Sequence, residues 1–325
     1  MVLDAQSLEF ERNLMRALII SDNKAGHFNQ SIALAMIMNW EWELFQVKYK
    51  SRLWKKISYF LDFINISVPR LYKELPCQNN YDIIISTGSE TYYANKILSK
   101  KWQIINIAIQ YPRGYRINFT HIFCPFYDYP QKISNITTLP VNITYSDELY
   151  HKDKANEFIE KKYRPKKKAI GIIIGGNNSR SIINHKLKDQ LIEIFKNNPD
   201  YEYWITTSRR TEKETEDIIN EFKFDYKLIW RNDRYNPIPA FMQLCDKLFI
   251  TDDSASMISE AVSYGNANVI VIETINKTKR NKLKKLTYQL VADGYACLLS
   301  DTNIQLTKKI NIENIIKKSL KNLHL

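Results

Sequence analysis

Glycine is scarce in this chain, with 8 in 325 residues, and cysteine is scarcer, with 4. Cys77, Cys124, Cys245 and Cys297 stand far apart and form no CxxC pair. That spacing argues against a disulfide framework or a structural zinc site. Apolar runs such as Ala17–Ile20 and Val269–Ile272 are short, and none approaches the ~20 residues of a spanning helix. The opening MVLDAQSLEFERNL has an acidic start and no apolar stretch, so it does not read as a secretory signal. No cluster of metal-ligating residues is visible, and Asp252-Asp253 is followed by Ser rather than forming DxD. The expectation is a cytoplasmic chain with no bound metal and no resident cofactor.

A hydrophobic fraction of 44% with 25% charged residues is ordinary for a globular protein, which excludes disorder, collagen and coiled coil as the main architecture. The length suggests two domains, each able to bury a core. Lys and Arg exceed Asp and Glu by 47 to 35, a net charge of +12. That excess suits nucleic acid, an acidic membrane surface or a phosphorylated small molecule, or is a solvated lysine-rich surface. No zinc finger, recognition helix or RNP signature supports nucleic acid, so none is expected as a partner.

Strand-like and helical stretches alternate. Arg16–Ser21 reads as a strand followed by a helix over Asn29–Asn39, and Asp82–Ser86 as a strand followed by Glu90–Leu98. Trp102–Ile109 and His121–Cys124 read as further strands. A polar segment, Ser146–Lys168, reads as a linker. The alternation resumes with strands Ala169–Ile174, Tyr201–Thr206, Lys227–Trp230, Lys247–Thr251 and Asn268–Glu273, with helices between them. Repeated strand–helix–strand order implies parallel sheets covered by helices. The predicted architecture is two Rossmann-like α/β domains facing a cleft, over residues 1–160 and 161–325. The last helix, Ile310–Leu323, is expected to pack back on the first domain.

In open α/β sheets, ligands bind beyond the carboxyl ends of strands, so the residues there are the candidates. Ser21–Gln30 (SDNKAGHFNQ) offers Asp22, Lys24 and His27, with Gly26 allowing a positive φ or a close ligand approach. His27 is a candidate general base or a loop histidine that merely packs. Ser86–Glu90 (STGSE) is an anion or acceptor-hydroxyl site, or a tight turn with Ser89 as N-cap. Ile172–Arg180 (IIIGGNNSR) places Gly175 and Gly176 where backbone can approach a phosphate or sugar, with Asn177, Asn178, Ser179 and Arg180 as donors. It is neither GxGxxG nor a Walker A loop. Thr206–Thr211 (TTSRRT) carries adjacent Arg209 and Arg210, suited to phosphate or to ion pairs with Glu212, Glu214 and Glu216. Ile250–Gly265 (ITDDSASMISEAVSYG) reads as a strand, Asp253 as N-cap, then a helix whose free N–H groups and small Ser254 and Ser256 suit a diphosphate. Met257, Ile258, Ala261 and Val262 form its core stripe, and Glu260 lies on another face.

The set DNKAGHFNQS, IGGNNSR, TTSRRT, RYNPIPAF and TDDSASMISEA resembles the family named for the plant mitochondrial-fission factor "elongated mitochondria", read as GT-B glycosyltransferases. The similarity runs in register from about residue 16 to 275. Two positions depart from the family pattern: Asn23 replaces the glycine of D-G-K, and N-P-Y becomes Asn236-Pro237-Ile238. Glu260, five residues before Gly265, also matches the spacing of the ribose-binding glutamate in the lipid-linked GlcNAc transferase of peptidoglycan synthesis.

The resemblance implies a metal-independent glycosyltransferase acting on a cell-envelope or membrane-associated glycan or glycolipid, lipopolysaccharide being one such class. The second domain would bind the nucleotide-sugar through Gly175, Gly176, Asn177, Ser179, Ser208, Arg209, Arg210, Asn236, Asp253, Ser254, Ser256, Met257 and Glu260. Trp230–Asn236 would frame the base. The first domain would bind the acceptor near Ser89 and Glu90. His27 would take the acceptor proton, with Asp22 in reserve, and Lys24 would stabilise developing phosphate charge. Ser51–Leu75 mixes Arg52, Lys55, Lys56 and Arg70 with Trp54, Ile57, Phe60, Leu61 and Ile64 at helical spacing. It reads as an interfacial helix on an anionic inner-membrane surface or as a core-facing helix with a basic outer side. The basic run Asn276–Leu286 adds a second patch. The alternative is a non-catalytic membrane-surface adaptor on the same fold.

Overall fold

A computed structural model describes residues 14–146, 148–183, 185–278, 281–301 and 305–321. The chain divides into two units: Met1–Leu139 with Glu313–Leu325, and Pro140–Ile312.

The first unit runs β1 (Arg16–Ser21), α1 (Ala25–Ile37), β2 (Glu41–Gln46), α2 (Arg52–Phe63), β3 (Ile83–Thr87), α3 (Tyr92–Trp102), β4 (Ile105–Ile109), β5 (His121–Pro125) and β6 (Ile136–Leu139). The strands form one parallel sheet in the order β2-β1-β3-β4-β5-β6. β3 and β5 are buried along their whole length, as strands of a parallel sheet covered on both faces should be. Leu18, Ile20, Ile84, Ala108 and Ile122 pack against Tyr92, Tyr93 and Ile97 of α3 to make the core. β2 and β6 have no counterpart in the sequence reading. β2 (EWELFQ) is a largely exposed edge strand whose acidic alternation hides it.

The second unit begins with α4 (Glu148–Lys161) and β7 (Ala169–Ile174), then β8 (Ser181–Ile182), α5 (Lys186–Lys196), β9 (Glu202–Thr207), α6 (Lys213–Asn220), β10 (Tyr226–Leu228) and α7 (Ile238–Leu244). It continues with β11 (Lys247–Thr251), α8 (Ala255–Ser263), β12 (Asn268–Ile272), β13 (Ile275–Asn276), α9 (Lys282–Ala292) and β14 (Cys297–Leu298). Its parallel sheet has the order β10-β9-β7-β11-β12-β14. The segment expected to be a linker contains α4, so the division falls at Leu139/Pro140 rather than near residue 160. α4 turns few apolar residues inward, Ala155 and Phe158 among them, and its polar remainder disguised it. Phe158 packs its ring 5.1 Å from Trp204 and 5.9 Å from Phe241.

The last helix, α10 (Ile312–Lys321), joins the first unit, as expected. Ile316 and Leu320 are buried, and Ser319 Oγ lies 3.0 Å from His121 Nε2. The end of the expected helix, residues 322 and 323, lies outside the described residues, as does most of the N-terminal stretch. Among the described residues no helix is long and apolar enough to cross a membrane.

Each six-stranded sheet has one topological switch point. In the first unit the chain leaves β1 toward β2 on one side and toward β3 on the other; in the second it does so between β7 and β11. A switch point opens a crevice at the carboxyl ends of the two strands.

Candidate functional site

In the first unit the loops after β1 and β3 meet at the switch point. Asn23 has φ 62, a left-handed conformation. That conformation explains why the family pattern has glycine at this position, and asparagine is the side chain that best tolerates it. α1 then starts at Ala25, so Gly26 is helical and needs no positive φ; a Cβ there would meet nothing within 4 Å. One turn into the helix, His27 Nδ1 sits 3.0 Å from Asp22 Oδ2, and Lys24 Nζ sits 2.7 Å from the same oxygen. The Asp22 side chain is only 3% exposed. Burial pushes its carboxyl up, but hydrogen bonds from His27 and Lys24 outweigh that and hold it down at about 2. Asp22 is therefore ionised and an acceptor only. The nitrogen facing it, Nδ1, is then the donor, and in the neutral imidazole Nε2 is the acceptor.

Gly88 has φ +92, and a Cβ on it would stand 2.5 Å from His27 Nδ1. The imidazole occupies the space that any side chain at residue 88 would need. Ser89 is not an N-cap: α3 starts at Tyr92, and Thr91 precedes it with its hydroxyl donating to Gly88 O at 2.8 Å. Ser89 and Glu90 are held instead by Lys55 of α2, whose Nζ lies 3.0 Å from Ser89 Oγ and 2.6 Å from Glu90 Oε1. Sequence reasoning missed this bond, because it joins residues 35 positions apart.

In the second unit the loops after β7, β9 and β11 are tied into one body. Asp253 Oδ1 accepts from Thr251 Oγ1 at 2.7 Å. Its Oδ2 accepts from Arg210 Nη2 at 2.7 Å and from Gly176 N at 3.1 Å. Burial pushes the Asp253 carboxyl up, while Thr251, Gly176 and Arg210 oppose the shift. Thr211 Oγ1 donates to Gly175 O at 2.6 Å, and Gly175 N donates to Thr251 Oγ1 at 2.8 Å. A Cβ on Gly175 would fall 1.9 Å from the Asp253 carboxylate, and one on Gly176 would fall 2.1 Å from Arg210 O. The two glycines are thus required by the packing of the chain itself. Asp253 is not the N-cap either: Ser254 is, accepting from Met257 N. Asp252 is turned away and neutralised, with Lys284 Nζ at 2.6 Å and Thr274 N at 2.9 Å.

Several other candidates also have internal tasks. Asn177 accepts from Ile183 N at 2.7 Å and donates to Glu212. Ser208 Oγ accepts from Arg210 N at 3.1 Å. Asn236 is exposed and accepts from Ile238 N in the turn before α7. Trp230 carries the Arg234 guanidinium over its ring at 5.3 Å.

A smaller set is unengaged. Arg209, Ser179 and Ser256 are exposed and make no side-chain bond with the described residues. At the start of α8, Ser254 satisfies one N–H, which leaves those of Ala255 and Ser256 without an intrahelical acceptor. Met257 is half-buried there rather than sealed in the core. The Glu260 side chain, one turn further, has no hydrogen-bond or ion-pair partner among the described residues, and desolvation pushes its carboxyl up to about 7. A half-buried carboxylate with a raised pKa and no partner near the start of a helix is a candidate ligand group. Among the described residues no group of His, Cys, Asp and Glu is arranged to hold a metal ion.

The fold has solved counterparts. UDP-GlcNAc 2-epimerase from Neisseria meningitidis, bound to UDP-GlcNAc, has a TM-score of 0.53 at 12% identity, covering 95% of this chain and 100% of that one. The glycotransferase of kitacinnamycin has a TM-score of 0.52 at 11% identity, covering 96% of this chain and 95% of that one. These likenesses show the shared GT-B-type fold class, two α/β units on parallel sheets. In sequence, the uncharacterized protein RP120 from Rickettsia prowazekii (strain Madrid E) is 27% identical, covering 77% of this chain and 81% of that one. The sequence profile described as mitochondrial fission ELM1 matches residues 25–317, and the chain belongs to that family.

Proposed function

We propose that this protein is a glycosyltransferase that moves a sugar from a nucleotide-sugar to a cell-envelope or membrane-associated glycan or glycolipid. One observation carries the reading. The loops at the second unit's switch point leave unengaged the groups a nucleoside diphosphate would use: Arg209, the N–H groups that open α8, and the carboxylate of Glu260. A guanidinium and a helix terminus suit the diphosphate, and a carboxylate suits ribose hydroxyls. The solved counterpart from Neisseria meningitidis has UDP-GlcNAc bound, a ligand of the same class, which supports this reading. Ser179, Ser254, Ser256 and Met257 would line this site. Gly175, Gly176, Asn177, Ser208, Arg210 and Asp253 hold its loops, and Asn236 has only a local role.

In the first unit, Asp22 orients His27, whose Nε2 takes the proton of the acceptor hydroxyl. As that oxygen bonds to the sugar C1, the bond from C1 to the phosphate oxygen breaks and the nucleoside diphosphate leaves with the electron pair. Arg209 and the start of α8 stabilise the charge on the leaving group, a role that needs no metal. Lys24 is held by Asp22, and its role is to lower the charge of that buried carboxylate.

The test is incubation with labelled nucleotide-sugars and an envelope lipid extract. The expected result is nucleoside diphosphate release matched by label in the lipid fraction, with His27→Ala at least about 100-fold slower. Consumption of the donor with no label transferred, by epimerisation or hydrolysis, would refute transfer.

A further inference from the structure

Helix α2 carries large apolar side chains on its outer as well as its inner side. Inward, Tyr59 and Leu61 pack on the core beside two buried polar residues. Ser58 is buried, with its hydroxyl 3.0 Å from that of Tyr49 and 2.9 Å from that of Tyr115. Buried Asp62 accepts from Lys96 Nζ at 2.8 Å and from Arg116 N at 2.7 Å. Its outward side is apolar: Leu53 is 62% exposed, Phe60 62% and Phe63 75%, with Trp54, Ile64 and Ile66 exposed beside them. Residues 53, 57, 60 and 64 recur at helical spacing along one face. A single exposed leucine needs no explanation, but a contiguous arc of large apolar side chains marks a contact surface.

The charge around this arc identifies the partner. Arg52 and Lys56 on the helix, and Lys48, Lys50, Arg70 and Lys73 on its flanks, are exposed and form no ion pair with the described residues. Between residues 48 and 75 the acidic side chains are Asp62, turned inward, and the exposed Glu74. We infer that the outer face of α2 seats on an anionic phospholipid surface. The aromatic and aliphatic side chains enter the boundary between headgroups and acyl chains, and the cations lie among the headgroup phosphates. The inward side of the same helix carries Lys55, which holds Ser89 and Glu90 beside Gly88 and His27. The docked helix therefore positions the turn next to the proposed base. The step from a docked helix to a lipid-borne acceptor rests on the glycosyltransferase reading; the docking itself does not.

The experiment is co-sedimentation of the full chain with phosphatidylglycerol–phosphatidylcholine vesicles and with phosphatidylcholine alone, at low and high salt. The parent is compared with Phe60→Ser/Phe63→Ser and Arg52→Glu/Lys56→Glu, all exposed positions, and melting temperature and nucleotide affinity are measured in parallel. The parent should bind the anionic vesicles at least about tenfold better than the neutral ones, and less at high salt. Each double variant should lower that partition by at least about tenfold with unchanged melting. Equal binding of parent and variants, or no vesicle binding, overturns the docking. Self-association that Phe60→Ser/Phe63→Ser abolishes, without vesicle binding, would make this face an interface between copies and overturn it equally. Loss of nucleotide affinity in the parent would instead defeat the donor-site reading and leave the docking result standing.

Discussion

Arg210 and Asp253 form an ion pair at 2.7 Å that joins the loop after β9 to the loop after β11, with Gly176 N bonded to the same carboxylate. Asp253 is fully buried, and the Arg210 side chain is 38% exposed. The adjacent Arg209 makes no such bond. Two neighbouring arginines thus divide the work: one builds the loop platform, and the other is left for a ligand.

Arg210→Ala should destabilise the protein by about 2–3 kcal/mol, below the roughly 3–5 of a fully buried pair because water reaches the guanidinium. Arg209→Ala should change stability by less than about 0.5 kcal/mol and weaken nucleotide-sugar binding by about 1.5–3 kcal/mol. Chemical denaturation and calorimetry on the two variants separate these effects. Equal loss of stability in both would contradict the division.

Acid should expose the Asp22–His27 pair. The Asp22 carboxyl is held at about 2 against an ordinary value of 3.8. A depressed carboxyl contributes stability above its unfolded value, and that contribution is lost as pH falls toward the folded value. Up to about 2 kcal/mol should therefore disappear between roughly pH 4 and 2. Asp22→Asn should already lack it at neutral pH and show a flatter acid limb in a pH series of denaturant melts.

Gly88→Ala tests how the two loops of the first unit fit. The new methyl would collide with the His27 ring and would sit at φ +92. The strain should cost about 1–3 kcal/mol. The displaced imidazole should lower transfer while nucleotide affinity stays at the parental value. Normal turnover in this variant would remove His27 from the reaction.

Glu260 should make donor binding pH-dependent. Its carboxyl is raised to about 7, and ionisation makes both oxygens charge-assisted acceptors for the ribose hydroxyls. With a nucleotide-sugar, whose diphosphate has no titrating proton near neutrality, affinity should rise as pH increases through about 7. Glu260→Gln should bind more weakly at pH 8 and lose the dependence. A parental Kd that is flat from pH 6 to 8 would contradict this role.

Strands that are buried on both faces were legible in the sequence: Ala169–Ile174 and Lys247–Thr251 have the bounds their β-branched runs suggest. β2, β6 and α4 were not, because an edge strand and a partly solvated helix carry little apolar signal. The positions of candidate residues at strand ends were legible too, since parallel topology fixes which loops share an end of the sheet. Their pairings were not. Nothing local announces that Asp253 takes Arg210 rather than capping α8, or that Lys55 reaches Glu90. Such bonds join segments whose distance in sequence says nothing of their distance in space.

Calorimetric titration of nucleotide-sugars (UDP-, GDP- and CMP-linked) into the parent, Arg209→Ala and Glu260→Gln proteins tests the central claim most directly. One member of the panel should bind the parent, and each variant should bind it at least about tenfold more weakly, with melting temperature unchanged. A parent that binds none of them, or variants that bind as the parent does, would contradict a donor site at the start of α8 and favour an adaptor built on the same fold.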